Sequence, residues 1–219
     1  MSFHHFRALI LFPLALILAS PAFAEKHVAL GQEVFENNCL GCHQAGDNGH
    51  AGMAPLLTNA DFLSIASDTF LFKTINEGRM NSGMPPWATL GDKKINAVIA
   101  YLRSQSSTEN RSAAVNRAPT AKGDSHRGSK LFEQICLTCH GIKGQGYENG
   151  NTGTHIGDAA FLRVASDGYI REVIKQGRSG TAMRAFTGPK AIAALKDQEI
   201  DDIIIYLRSL STKAQGDAS

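Results

Sequence analysis

Cysteine is scarce in this 219-residue sequence, with only four copies. No cysteine is left over to serve as an additional thiolate ligand once those four have a role. Long apolar runs are also missing. The one run, from Ala8 to Ala19, is roughly half the ~20 residues that a spanning helix needs. No cysteine follows that run, so nothing supports lipoprotein anchoring, and no other segment could cross a bilayer. Clusters of basic residues are absent, which leaves no electrostatic footprint for nucleic acid. No long stretch alternates apolar with polar residues, so a sheet is not expected.

Beyond the apolar run stands Ala22-Phe23-Ala24, a small-x-small cleavage pattern, and Arg7 precedes it with His4 and His5. Together they predict a secretory signal peptide over 1–24, cut after Ala24, and hence a periplasmic protein. The 22 Lys and Arg against 20 Asp and Glu become 21 against 20 once Arg7 is removed. A chain this close to neutral favours neither acidic nor basic partners.

What is present is a unit written twice. GQEVFENNCLGCH (31–43) returns as GSKLFEQICLTCH (128–140), 97 residues later. ADFLSIASDTFLFKTINEGR (60–79) returns as AAFLRVASDGYIREVIKQGR (159–178), 99 residues later. LGDKKINAVIAYLRS (90–104) returns as LKDQEIDDIIIYLRS (195–209), 105 residues later. The expected organisation is a first unit over 25–104, a linker over 105–126, a second unit over 127–210 and a polar tail over 211–219. The linker is rich in Ser, Ala, Asn and charge, which is compatible with tight docking or with swinging.

The repeated blocks have helical spacing. Phe62, Leu63, Ile65, Ala66, Phe70, Leu71 and Ile75 form one such set. Ile95, Val98, Ile99 and Leu102 form a stripe that Ile200, Ile203, Ile204 and Leu207 repeat. Gly78 and Gly177 fit helix stops, and Asp92 and Asp197 fit N-caps. The predicted fold class is all-α: two tandem helical units, each about 80 residues and thus in need of a large cofactor or staple.

All four cysteines lie in two copies of Cys-x-x-Cys-His: Cys39, Cys42 and His43, then Cys136, Cys139 and His140. Two thiols three positions apart can each add to a vinyl group on a haem edge. The adjacent imidazole can then turn beneath the iron. This spacing is the signature of c-type haem attachment, so two covalently attached haem c groups are expected. A zinc site would place its two pairs ~15–20 residues apart, whereas 93 residues separate Cys42 from Cys136. A thioredoxin-like pair needs a βαβ context. Simple disulfides leave both histidines unexplained.

A second axial ligand is wanted on each iron. Met53, Met80, Met84 and His50 are available in the first unit, and Met183 and His155 in the second. Met84 maps onto Met183 within GRMNSGMPPW (78–87) and GRSGTAMRAF (177–186). Met80 maps to Ser179, Met53 to Thr152 and His155 to Leu56. Met84 and Met183 are therefore the expected ligands, with His155 the rival in the second unit.

These residues resemble the class I cytochrome c domain, present twice, in an architecture similar to dihaem cytochromes of the cytochrome c4 type. The resemblance rests on the attachment motif, Gly31/Phe35 and Gly128/Phe132, the glycine-to-methionine loop and the terminal Tyr-Leu-Arg. It implies contact of Phe35 with Tyr101 and Leu102, and of Phe132 with Tyr206 and Leu207. It also implies a proline carbonyl holding the proximal histidine. Pro55 could serve in the first unit, whereas the second has Thr154 and departs from the pattern. Met84-Pro85 fits the family, whereas Met183 precedes Arg184.

An iron with both axial positions filled changes charge with little rearrangement, which favours electron transfer over substrate chemistry. The function expected is a periplasmic dihaem electron carrier between redox protein partners. The alternatives are an electron-transfer subunit of a larger oxidoreductase complex, or a dihaem enzyme such as a peroxidase or a sulfur-compound oxidising cytochrome.

Overall fold

A computed structural model describes residues 21–43, 54–146 and 152–216, with side chains over 24–43, 54–146 and 152–211. The first unit comprises α1 (Pro21–Asn38), α2 (Leu40–His43), α3 (Ala60–Ile65), α4 (Asp68–Glu77) and α5 (Gly91–Ser104). A short α6 (Ser112–Asn116) lies in the joining segment. The second unit comprises α7 (Ser125–Ile135), α8 (Leu137–His140), α9 (Ala159–Val164), α10 (Asp167–Gln176) and α11 (Asp197–Gly216). Among the described residues no strand forms, and one isolated antiparallel bridge joins Arg79 to Met84.

Each unit is organised by a crossing of its first and last long helices, α1 on α5 and α7 on α11. A β-carbon added at Gly31 would lie 1.9 Å from the Ala97 carbonyl oxygen, and one at Gly128 would lie 1.9 Å from that of Asp202. Only glycine lets the two backbones approach so closely. The crossing brings Phe35 to Tyr101 with ring centroids 5.4 Å apart, and Phe132 to Tyr206 at 5.3 Å. The expected stripes face this contact: Ile95, Val98, Ile99 and Leu102 are buried, as are Ile200, Ile203, Ile204 and Leu207.

The middle block is two short helices rather than one. The Ser67 hydroxyl accepts the Phe70 N–H and the Ser166 hydroxyl accepts the Tyr169 N–H, so each serine caps a new helix. The preceding helix thereby ends with bare carbonyls. Arg103 donates to those of Leu63 and Ala66 and pairs with Asp68. Arg208 does the same for Leu162 and Ala165 and pairs with Asp167. Gly78 and Gly177 end α4 and α10 at φ 69° and 68°.

Three expectations change. Asp92 and Asp197 lie inside the first turn and are not N-caps. A 3₁₀ turn over Ala88–Leu90 leads directly into α5, and Glu199 reaches back to the Lys196 N–H in α11. Both aspartates still sit favourably at the positive end of a helix dipole. The polar stretch that begins at 211 is helical as far as Gly216, where α11 ends.

The segment 105–126 is also more than a polar tether. Arg111 donates its backbone N–H to Ser64 of the first unit and its guanidinium to Glu172 and Gln176 of the second. Val115 and Ala121 are buried, and Asp167 accepts the Ala121 N–H. Two isolated apolar contacts and backbone hydrogen bonds have no periodic signature, so composition alone could not reveal this strap.

The two units dock through equivalent surfaces. Phe70 stacks on Tyr169, with centroids 4.8 Å apart and planes 27° apart. The Arg79 guanidinium lies 4.6 Å over the Phe161 ring, and that of Arg178 lies 5.0 Å over the Phe62 ring. The Arg163–Glu77 pair, at 2.6 Å, also crosses between units. So do the bonds from Asn59 to the Ser179 carbonyl and from the Ser179 N–H to Asp61.

Candidate haem sites

In both copies the last turn of the first helix delivers the cysteine motif. The Cys39 N–H donates to the Phe35 carbonyl and the His43 N–H to that of Cys39. Cys136, Phe132 and His140 repeat this pattern. A phenylalanine fixed at the helix crossing therefore positions the motif one turn later. Cys39 and Cys136 pack against the core, whereas Cys42 and Cys139 are exposed, and none of the four is in a disulfide. Burial, with the neighbouring cysteine adding to it, pushes the Cys39 thiol up to about 11 and that of Cys136 to about 12.

The histidines are held alike. Nδ1 of His43 lies 2.9 Å from the Pro55 carbonyl oxygen, and Nδ1 of His140 lies 2.9 Å from that of Thr154. A carbonyl can only accept, so Nδ1 carries the proton and Nε2 keeps its lone pair for iron. Burial lowers the pKa of both imidazoles, and the charges of Arg79 and Arg178 respectively lower it further, against the raising effect of the backbone bond. Both shifts disfavour the protonated ring. The departure at Thr154 has no geometric consequence, because the bond uses a main-chain carbonyl. Gly153 makes room for it: a β-carbon there would meet His140 Nδ1 at 2.6 Å.

The methionine loops also match. The N–H of Arg79 donates to the Met84 carbonyl at 2.7 Å, and that of Arg178 to the Met183 carbonyl at 2.7 Å. Each loop folds back on its helix-ending glycine. A β-carbon at Gly78 would lie 2.5 Å from Pro86 N, and one at Gly177 would lie 2.4 Å from the Met183 carbonyl oxygen. Met84 and Met183 are partly buried, and Met183 packs against the core. Met80 is 70% exposed. His155 turns its Nδ1 toward the Asn81 carbonyl of the other unit, at 3.4 Å. His50 and Met53 lie outside the described residues, as do His4, His5 and Arg7.

The donors present fit haem c: two cysteines outside any disulfide, an imidazole of fixed tautomer and a methionine loop in each unit. Among the described residues no three His, Cys, Asp or Glu side chains converge on a protein-only metal site.

Residues 26–102 match the family "Cytochrome C oxidase, cbb3-type, subunit III", and residues 125–211 match "Cytochrome c". The cbb3-type cytochrome c oxidase subunit FixP of Bradyrhizobium diazoefficiens is 30% identical over 90% of this chain and 68% of its own length. The chain belongs with FixP among the dihaem c-type cytochromes. FixP of Azorhizobium caulinodans is also 30% identical, over 90% of this chain and 64% of that protein. The cbb3-type subunit CcoP of Cereibacter sphaeroides is 26% identical over 90% and 66%. The chain thus spans about two thirds of the length of these relatives. A chain of the Kuenenia stuttgartiensis reducing HAO-like protein complex covers 83% of this chain and 95% of its own, at 23% identity and a TM-score of 0.43.

As a dihaem electron-transfer cytochrome, the protein carries two covalently bound haem c groups, one per unit. Sequence reasoning passed over the arginines next to the methionine loops. Arg79 and Arg178 recur in register, which was the available signal, but a repeated arginine reads equally well as a solvated charge.

Proposed function

We propose that the protein is an exported carrier of single electrons, with Cys39, Cys42, Cys136 and Cys139 tethering two haems and His43, Met84, His140 and Met183 ligating their irons. The observation that carries this reading is the paired bond from Nδ1 to a carbonyl, which leaves Nε2 of both His43 and His140 facing away as a donor. Haem bound there supplies a one-electron iron couple. The chain's own part is to fix the imidazole tautomers and the ligand loops. With His43 and Met84 holding one iron and His140 and Met183 the other, no position would be left open for substrate, which favours electron transfer over catalysis.

Export rests on residues 1–24. Cleavage after Ala24 would fall in the first turn of α1 and remove only its first residues. Among the described residues no helix is long and apolar enough to cross a membrane. The likeness to FixP and CcoP favours a second reading, an electron-delivering subunit of a terminal oxidase complex.

The test begins with the exported protein. Its mass should exceed that of the polypeptide from Glu25 by two haems, and the ferric spectrum should show the weak red-end band of methionine ligation. Rapid one-electron reduction and reoxidation without peroxide turnover supports the carrier. A high-spin ferric haem with peroxidase activity overturns it. Co-purification with oxidase subunits from gently solubilised membranes selects the complex.

A further inference from the structure

We propose that Arg79 and Arg178 are the cationic partners of the haem propionates, each clamped by an aromatic ring of the opposite unit, so that each haem's potential depends on residues of the other unit. This rests on the haem sites described above.

Burying a guanidinium is costly unless an anion or a full set of acceptors compensates. Nε of Arg79 and Nε of Arg178 are both buried with no hydrogen-bond partner among the described residues. Arg178 satisfies one nitrogen through the Tyr169 hydroxyl at 2.6 Å. Among the described residues neither guanidinium forms an ion pair with a carboxylate. Asp158 is the acid whose charge acts on Arg79. It uses one oxygen to cap α9, and its other oxygen, Oδ2, is buried without a partner. The matching position in the first unit is Asn59, which is neutral, so Arg178 has no acid there. Asp61, two residues on, is engaged by the Ser179 N–H.

Two half-buried arginines in equivalent places, each with a buried and unpartnered Nε and neither ion-paired among the described residues, call for an anion that comes once per unit. Haem carries two propionate carboxylates, and guanidinium matches a carboxylate in shape and charge. Each arginine stands beside its own site. It shares a backbone bridge or bond with the methionine loop, and its charge acts on the proximal histidine. Each is also pinned from across the interface, Arg79 by Phe161 and Arg178 by Phe62. A positive charge fixed at a propionate favours the ferrous state by cancelling a negative one. Moving the clamp moves that charge.

The experiment measures the potential of each haem in the haem-loaded protein and its variants. Ferric NMR haem-methyl signals distinguish the two haems, assigned by which set Met84→His or Met183→His displaces. Arg79→Gln should shift the ferrous/ferric equilibrium of the first haem about tenfold toward ferric, a fall of about 59 mV for one electron. Arg79→Lys should restore most of it. Arg178→Gln should do the same to the second haem. Phe161→Leu, a substitution in the second unit, should shift the first haem about threefold in the same direction, and Phe62→Leu the second haem. Asp158→Asn should leave the first haem no lower than wild type.

Unchanged potentials in Arg79→Gln overturn the proposal, as do equal shifts in the Gln and Lys variants. If Arg79→Gln does not load haem, Phe161→Leu decides, and a shift confined to the second haem counts against the clamp. A wild-type chain without haem overturns this proposal and the site reading together. Two attached haems with insensitive potentials overturn this proposal alone.

Discussion

Phe70 stacks on Tyr169 at 4.8 Å, and the two residues are the same position in the two copies of the repeat. A residue can touch its own equivalent only on the axis that relates the copies. The exchange of Arg79 and Arg178 onto Phe161 and Phe62 follows from that axis. The two units therefore dock as a homodimer would, through one surface used twice. Phe70→Ala should cost roughly 3–5 kcal/mol, the range for deleting a buried phenylalanine. Tyr169→Phe, which keeps the stack and loses the bond to Arg178, should cost about 1 kcal/mol. Denaturant unfolding of the haem-loaded chain compares them. Equal losses would place the stability in the hydroxyl and not in the ring pair.

The glycines at the helix crossings give a second prediction. A β-carbon at Gly31 or Gly128 would need to occupy space 1.9 Å from a carbonyl oxygen. No rotamer relieves that, because the obstruction is backbone. Gly31→Ala should force α1 off α5 and lower stability by at least about 1–3 kcal/mol, the usual cost of overpacking. The Phe35–Tyr101 contact should loosen with it, which Tyr101 ring NMR would report. Gly128→Ala should do the same to Phe132 and Tyr206. Wild-type stability in either variant would mean that the helices cross less closely.

These positions mark what the sequence made legible. Repetition exposed the helices, the motif and the methionine pair, because a site built twice must repeat the residues that build it. Phe35 against Tyr101 and Phe132 against Tyr206 were readable for that reason. Thr154 was misleading, since a main-chain carbonyl serves from any residue and leaves no trace in side-chain identity. The break at Ser67 and Ser166 was hidden because apolar spacing continues across it, while a single capping hydroxyl decides the backbone. The interface escaped notice because Phe62, Phe70 and Arg79 look the same whether they face their own unit or the other.

Acid should find one unit first. Asp202 is 1% exposed and pairs with Arg127 at 2.8 Å. The Arg127 guanidinium, with the Asp124 N–H and Gln198 assisting and burial opposing, holds its carboxyl down at about 2, against 3.8 for the free group. A depressed carboxyl stabilises the fold while it is ionised in both states, and that contribution is present in full above about pH 4. It is lost as pH falls from about 4 toward 2, because the unfolded chain takes up the proton first. The first unit has Ala97 at the matching place, with nothing to titrate. Asp202→Asn should therefore lower stability at pH 7 and remove part of the acid dependence below pH 4. Identical acid slopes in the variant and wild type would refute this.

Gly153 offers a test of the second haem site that spares the attachment residues. A β-carbon there would meet His140 Nδ1 at 2.6 Å and the Cys139 carbonyl oxygen at 2.7 Å. The first unit has Ala54 in the equivalent position, on a loop two residues shorter. The constraint thus comes from the route of the longer loop, which returns to donate the Gly153 N–H to Cys139. Gly153→Ala should displace the Thr154 carbonyl from the imidazole and free the ring to rotate. The mass should still report two haems, because Cys136 and Cys139 are intact. About half of the low-spin signal should weaken, with the first haem unaffected, and the potential of the second should move. An unchanged spectrum and potential would show that the Thr154 bond does not orient His140.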